Sequence, residues 1–127
     1  MRKQYHFRPG EKGWDVWDVD RLIELSRDLP IRSVSLEDLS ELEENYWYQG
    51  PDEVPTCRSV VAHMRLVLEA DLSYPIILCS EGRIMDGMHR VGKALLEGRE
   101  SIGAVRFATT PDPDKRAVGD PDALPYE

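Results

Sequence analysis

Cysteine is scarce in this sequence: only Cys57 and Cys79 are present, and they do not form a C-x-x-C pair. Two isolated cysteines cannot build a disulfide framework, so we expect both to be reduced and structural. The three histidines, His6, His63 and His89, show no metal-ligand spacing with them. The sequence therefore predicts no metal centre built from these residue types.

Long apolar segments are also absent. No stretch approaches the ~20 apolar residues that cross a bilayer, and the basic start of the chain lacks the apolar segment of a secretory signal. We therefore expect a soluble, cytoplasmic protein without membrane contact. The length of 127 residues, with 41% hydrophobic and 31% charged residues, fits one domain with one modest core.

Positive charge is in deficit, with 16 Lys and Arg residues against 24 Asp and Glu residues and a net charge of -8. Duplex DNA repels such a chain unless a basic face compensates, and no helix-turn-helix or basic arm is recognisable. Duplex DNA is therefore a disfavoured partner. A local positive pocket could still bind a small phosphorylated molecule.

The first half of the chain predicts short elements. Residues 3–8 and 31–35 are typical of strands, and a helix capped by Asp18 or Asp20 ends before Pro30. Ser35, followed by Asp38, predicts the start of a second helix. The aromatic segment 45–55, which contains Gly and Pro, predicts a loop that closes the core edge or packs over a ligand or partner.

Residues 56–71 give the clearest helical pattern. Apolar residues recur there at three- and four-residue steps and predict a buried stripe: Cys57, Val60, Val61, Met64, Val67 and Leu68. Thr56 is the expected N-cap. His63 and Arg65 fall off the stripe, so we expect both side chains to be solvated.

The second half predicts a hairpin of strands 74–79 and 83–85, a helix over 88–97 and a last strand over 102–107. On that helix, Val91, Ala94 and Leu95 are expected to be buried, and Gly92 to allow close packing against the sheet. Residues 108–127, rich in Pro and Asp, predict an extended or disordered tail.

The junction Asp86-Gly87-Met88-His89-Arg90 carries the most chemical information. A glycine turn that leads into a helix offers free backbone N–H groups and the positive end of the helix dipole to an anion. His89, Arg90 and Lys93 crowd this positive helix end, which costs about 0.3–1 kcal/mol each unless an anion lies among them. We therefore interpret the junction as a phosphate-binding site. The alternative is that Asp86 only caps the turn and His89 bonds a carbonyl.

Residues 74–107 resemble the core of the ParB/sulfiredoxin superfamily: a P-I-hydrophobic strand, a hairpin, a D/G-G-x-H/R-R turn, an Ala-rich helix and an I-x-A-V strand. Residues 34–39 resemble the family's opening V-x-L-x-x-L. The resemblance implies a small single-domain α/β (α+β) fold, a short mixed sheet flanked by helices. It spans residues 31–107, with an N-terminal strand-helix extension, 1–30, packed on the core.

The resemblance also implies that the Asp86–Arg90 turn binds nucleotide phosphates. Sulfiredoxins have a reactive cysteine where this chain has Met88, so sulfinic acid repair by that route is excluded. Chromosome-partition ParB proteins use an arginine-rich G-E-R-R turn, which the sequence does not match. The D-G-H-H-R turn of free serine kinases is similar, and laying their L-x-x-L-x-P-H-E pattern on 36–43 places Glu43 at their catalytic glutamate.

Two functions follow as hypotheses. As a phosphotransferase or nucleotide hydrolase, the chain would use ATP or another nucleotide with Mg²⁺, Asp86 as a catalytic group or Mg²⁺ ligand and Glu43 as base. The phosphates would be held by the turn and nearby cations: Gly87, Met88, His89, Arg90, Lys93 and Arg58. As a non-catalytic module related to chromosome-partition ParB proteins, it would bind the nucleotide and dock on a protein partner or on itself. Glu43 is equally well read as a solvated helix glutamate, and Arg58 as the partner of a surface acid.

Overall fold

A computed structural model describes residues 3–50 and 52–126 of the chain. Its strands and α-helices follow in the order β1 (Tyr5–Pro9), β2 (Trp14–Asp18), α1 (Val19–Ser26), β3 (Arg32–Ser35), α2 (Cys57–Glu69), β4 (Ile76–Leu78), β5 (Ile84–Asp86), α3 (Met88–Leu96), β6 (Ser101–Arg106) and β7 (Lys115–Val118). Three 3₁₀ turns span Leu36–Asp38, Ser40–Glu43 and Pro121–Ala123. No helix in these described ranges is long and apolar enough to span a membrane.

The strands form two sheets. The first sheet has the order β1-β2-β7, and all its pairings are antiparallel. The second has the order β3-β6-β4-β5, with β4 and β6 parallel and the other pairings antiparallel. The predicted mixed α+β fold, with a hairpin joining β4 to β5, is therefore confirmed.

The four-stranded sheet divides the core into two layers, because successive strand residues point to opposite faces. Ile76 and Leu78 lie in the layer that contains Val91 of α3. Ile77 lies in the other layer with Leu22 of α1. Strand β4 is thus covered on both sides, which explains why its sequence is continuously apolar.

Strand β2 leads directly into α1 at Asp18, whose side chain accepts a hydrogen bond from the Asp20 amide. The predicted cap is therefore confirmed at the first of its two candidate positions. The helix predicted after Ser35 is wrong: two 3₁₀ turns replace it. Leu36 and Leu39, three residues apart, are both buried, and a three-residue period favours the tighter turn.

Helix α2 begins after Thr56 as predicted, but its predicted buried stripe is wrong. No residue of α2 is fully buried, and most of the stripe is exposed, including Val61 at 63% and Leu68 at 60%. The side that contacts α3 carries His63 together with Val67, the one stripe residue that is partly buried. The prediction that His63 is solvated is therefore also wrong, whereas Arg65 is exposed as expected.

Helix α3 buries Val91 and Ala94 as predicted, but Leu95 is exposed. Gly92 allows a close approach of α2, whereas the sequence predicted close packing against the sheet. A Cβ at this position would lie 3.2 Å from Cγ2 of Val67 on α2. The glycine therefore serves packing between the two helices.

The segment after residue 107 is ordered by strand pairing. Strand β7 pairs with β2, and the indole of Trp17 donates a hydrogen bond to the Pro111 carbonyl at 2.8 Å. Leu124 is buried. Of the two forms expected for the tail, extended or disordered, β7 is extended: it completes the first sheet, and the segment before it covers a core tryptophan.

Candidate ligand-binding site

The turn between β5 and α3 requires glycine. Gly87 has φ +109, and a Cβ there would lie 2.6 Å from Cγ2 of Ile76 and 2.9 Å from Nη2 of Arg90. Gly87 is also the N-cap of α3 and provides no side-chain hydrogen bond to the helix. The first backbone amides of α3 are therefore not capped by the side chain at this position, as the sequence predicted for an anion site.

Asp86 and Arg90 are paired across this turn. Nη2 of Arg90 donates to Oδ2 of Asp86 at 3.1 Å and to the Pro75 carbonyl at 3.3 Å. Both side chains are mostly buried, with exposures of 16% for Asp86 and 21% for Arg90. Nε of Arg90 is buried and has no hydrogen-bond partner in the described part of the chain. An unsatisfied buried donor costs about 1–3 kcal/mol, so an acceptor supplied to this nitrogen by a ligand would be stabilising.

This ion pair lies at a cleft of about 450 Å³ between α1 and the four-stranded sheet, which we term the α1 cleft. Its wall is mainly apolar and includes Ile23, Leu29, Ile31, Tyr74, Ile77 and Val105. Its charged members are Arg27, Asp86 and Arg90. An apolar cavity with a few converging polar groups is the usual form of a small-molecule site.

His89 does not line this cleft; it packs in a separate cluster. Its Nε2 lies 2.9 Å from Nδ1 of His63, so one imidazole donates the bonding hydrogen and the other accepts it. The Trp47 ring is stacked on both imidazoles, at centroid distances of 4.5 Å and 5.2 Å. We call these three residues the histidine–tryptophan stack. Through Trp47 it joins the aromatic segment 45–55, which we call the aromatic loop, to α2 and α3.

Burial is the largest cause that lowers the pKa of both His63 and His89. The neighbouring His63 and Arg90 charges lower the pKa of His89 further. Both shifts favour the neutral rings. A neutral imidazole in a ring stack is a poor phosphate ligand, so the structure gives His89 a packing role.

Lys93 is likewise engaged elsewhere. Its ammonium group donates to the carbonyl oxygens of Leu68 and Ala70, at 3.1 Å and 2.7 Å. These carbonyls lie at the end of α2, where the last turn leaves backbone acceptors unpaired. His89, Arg90 and Lys93 thus make separate contacts, and of the three only Arg90 lines the α1 cleft. Arg58 is exposed in the first turn of α2 and does not line it either.

Glu43 is exposed and is not among the described residues that line the α1 cleft. Its neighbour Glu41 is 1% exposed instead. Oε2 of Glu41 accepts a hydrogen bond from the Ile84 amide at 2.5 Å, and the Arg83 guanidinium lies 3.9 Å away. Glu43 is thus solvated, as its alternative interpretation had it, and the neighbouring Glu41 fixes the 3₁₀ turn to β5.

Three residues of these sites were missed by sequence reasoning: Arg27, Glu41 and Trp47 as a stacking partner. Arg27 lies far along the chain from the β5–α3 turn, and no local pattern connects the two. Glu41 sits in an acidic run in which no residue stands out. The aromatic density of segment 45–55 was the one available signal for Trp47.

The described residues contain no group of three or more His, Cys, Asp or Glu side chains arranged to hold a metal ion. Mg²⁺ is commonly held by one or two carboxylates together with substrate phosphates, so Asp86 fits only as one ligand beside a bound phosphate. No family model, no curated protein and no solved structure matches the chain.

Proposed function

We propose that the chain binds a phosphorylated small molecule, of which a nucleotide is the favoured class, in the α1 cleft. The apolar wall would take the base or another apolar part of the ligand. Arg90 would bind the phosphate. The ligand class comes from the resemblance to the ParB/sulfiredoxin superfamily and from the glycine turn at Asp86–Arg90.

The observation that carries this proposal is the buried Arg90 Nε without an acceptor. Nη2 of Arg90 donates hydrogen bonds to the Asp86 carboxylate and the Pro75 carbonyl. A phosphate oxygen would supply the acceptor that Nε lacks, and a guanidinium binds phosphate through two nitrogens at once. Arg27, whose guanidinium pairs with Glu24 on α1, would add a second guanidinium at the same cleft.

Binding without catalysis is the form of the proposal that the geometry favours. The kinase-like mechanism needs Asp86 and Glu43 at one ligand, yet only Asp86 lines the α1 cleft. Asp86 is also already paired with Arg90 at 3.1 Å. The aspartate would therefore orient the guanidinium toward the phosphate.

A calorimetric titration of the full chain with ATP, ADP and GTP, each with and without Mg²⁺, tests the proposal. We expect a saturable heat for at least one nucleotide and about 10- to 100-fold weaker binding for Arg90→Lys, because the variant loses a charged hydrogen bond worth about 1.5–3 kcal/mol. Arg65→Lys, at an exposed site on α2, is the matched control and should bind like wild type.

Two results would overturn the proposal: no heat with any nucleotide, or equal affinity for wild type and Arg90→Lys. Phosphate release measured in the same samples separates binding from catalysis. Turnover that is lost in Asp86→Asn, with binding retained, would replace the binding role with an enzymatic one.

A further inference from the structure

A second cavity, distinct from the α1 cleft, has an unusual wall. It has a volume of about 230 Å³ and lies between the first sheet and the aromatic loop. Five aromatic rings line it: Tyr5, Phe7, Trp14, Tyr46 and Trp47. The whole chain has three Trp, five Tyr and two Phe residues, so half of its aromatic rings surround this one cavity. We call it the aromatic pocket.

Three of these rings, Tyr5, Phe7 and Trp14, contact one another. Phe7 and Trp14 are inclined by 80° at a centroid distance of 6.3 Å, and Tyr5 and Phe7 by 58° at 6.2 Å. All of these rings are partly exposed, so they retain accessible surface. The Tyr5 hydroxyl donates to the Pro125 carbonyl, and the edge of Tyr126 packs on its ring, which holds that wall in place.

The charged side chain that lines the aromatic pocket is acidic. Glu53 lines it, and the described lining includes no lysine or arginine. His6 also lines it, and burial together with the Arg8 and Arg83 charges lowers its pKa to about 3, so this imidazole is neutral at physiological pH. The net charge of the chain, -8, further favours a positive ligand.

We infer that the aromatic pocket binds an alkylammonium group, with the ring faces contacting the cation and Glu53 supplying the opposite charge. Aromatic faces attract a cation through the ring quadrupole, and several rings around one cavity suit a quaternary ammonium, which has no N–H group to donate. A cavity of about 230 Å³ is below the usual size of a drug-sized site and suits such a head group. The group could belong to a free molecule or to a methylated lysine side chain.

The three tryptophans provide an internal test by ¹H–¹⁵N NMR. We expect choline chloride to move the indole signals of Trp14 and Trp47 in a saturable way and to leave Trp17 unmoved, because the Trp17 indole is bonded to Pro111 in the core. The N-methyl protons of choline should shift upfield between the rings. The neutral isostere 3,3-dimethyl-1-butanol should bind at least about fivefold more weakly, because it lacks the cation–π attraction.

Two variants assign the effect to the pocket. Trp14→Phe retains a ring and should bind choline no more than about threefold more weakly, whereas Trp14→Ala should bind about 5- to 30-fold more weakly. Glu53→Gln should weaken choline binding and leave any binding of the neutral alcohol unchanged. Glu69→Gln, an exposed glutamate on α2, is the charge-matched control.

The inference fails if choline moves no indole signal at concentrations up to about 50 mM, if all three signals move alike, or if the neutral alcohol binds as tightly as choline. If Trp14→Ala is unfolded, Glu53→Gln and Trp14→Phe still decide the result. A peptide with trimethyllysine, compared with its unmodified lysine form and with free choline, distinguishes a protein side chain from a free ligand. Nucleotide titration in the same spectra keeps this result separate from that for the α1 cleft.

Discussion

At the scale of single residues, buried polar groups define the chemistry of this protein. Arg90 Nε lacks an acceptor, Glu41 is fully buried but bonded to the Ile84 amide, and His6 accepts a hydrogen bond from Arg8 Nε at 2.9 Å. Buried polar groups are normally satisfied, so an unsatisfied one points to a missing partner. Glu41 and His6 are therefore structural. Two buried nitrogens of the described residues lack a partner, Arg90 Nε and Arg8 Nη2; of these two residues Arg90 lines the α1 cleft, so it is the candidate for ligand contact there.

Gly87 gives a prediction about the turn itself. Gly87→Ala should destabilise the chain by more than about 2 kcal/mol, because the left-handed backbone costs an L-residue about 1–2 kcal/mol and the new Cβ overlaps Ile76. Gly98→Ala has a positive φ of 74 but no atom within 4 Å, so it should carry only the backbone cost. Urea unfolding of both variants measures the difference, and equal costs would contradict the steric argument.

His6 predicts a dependence of stability on pH. Burial is the largest cause that lowers its pKa from 6.5 to about 3, so the unfolded chain takes up this proton first. The free energy of unfolding should therefore fall as pH decreases below about 6.5, by up to about 1.4 kcal/mol per pH unit from this group, and the loss continues to about pH 3.

His6→Gln tests that dependence, because glutamine can still accept the Arg8 hydrogen bond but does not titrate. Urea unfolding at pH 7, 6 and 5 should give a shallower slope for the variant than for wild type. Some slope should remain, since the pKa values of His63 and His89 are lowered as well. Identical slopes would show that His6 has the same protonation state in the folded and the unfolded chain over this pH range.

At the scale of elements, α2 stands apart from the other helices. It contacts α3 through His63 and Val67, while Val61, Met64 and Leu68 are exposed. Its stability within the fold depends on the histidine–tryptophan stack, on Lys93 at its end and on the Thr56 cap, whose side chain accepts from the Ser59 amide at 3.1 Å.

The exposed stripe of α2 predicts a contrast between two substitutions. Leu68→Ala should change the free energy of unfolding by no more than about 0.5 kcal/mol, because Leu68 is 60% exposed. Ile76→Ala, at a fully buried strand position, should cost about 2–5 kcal/mol. Chemical denaturation measures both. A large loss in Leu68→Ala at low protein concentration would show that the stripe is covered in solution.

At the scale of the whole molecule, the C-terminal segment is bonded to β2 and to the start of α1. Oδ2 of Asp114 accepts from the Asp18 amide at 2.7 Å, and Oδ1 pairs with Arg21 at 3.2 Å. The first sheet thus includes strands from both ends of the chain, β1 and β7. The predicted N-terminal extension, residues 1–30, therefore shares its sheet with a strand from the other end of the chain.

Asp114→Ala should therefore destabilise the chain by about 1–2 kcal/mol, because it removes a charged acceptor from a backbone amide at the start of α1. Asp112→Ala is the matched control: its side chain is 93% exposed and lies 3.7 Å from Arg116. A thermal melt of both variants provides the comparison. Equal melting temperatures would mean that the Asp114 side chain contributes little to the stability of the fold.

Local patterns were sufficient for most elements. The Asp18 and Thr56 caps, the apolar strand before Cys79 and the Asp86-Gly87 turn were all predicted from neighbouring residues, because capping and turn geometry depend on short-range backbone chemistry. The α2 stripe, the tail strand and the buried Glu41 were not, because they depend on partners distant in sequence. The spacing of apolar residues showed that α2 is helical but could not show which of its faces meets α3.

The sequence by itself determined where the chain turns, where its main helices begin and that a glycine must precede α3. Tertiary structure alone decided that His89, Arg90 and Lys93 have different partners, that Arg27 joins Arg90 at one cleft and that five aromatic rings share one pocket. The physical reason is that a side chain's role is set by what it touches, and these contacts join residues brought together only by folding.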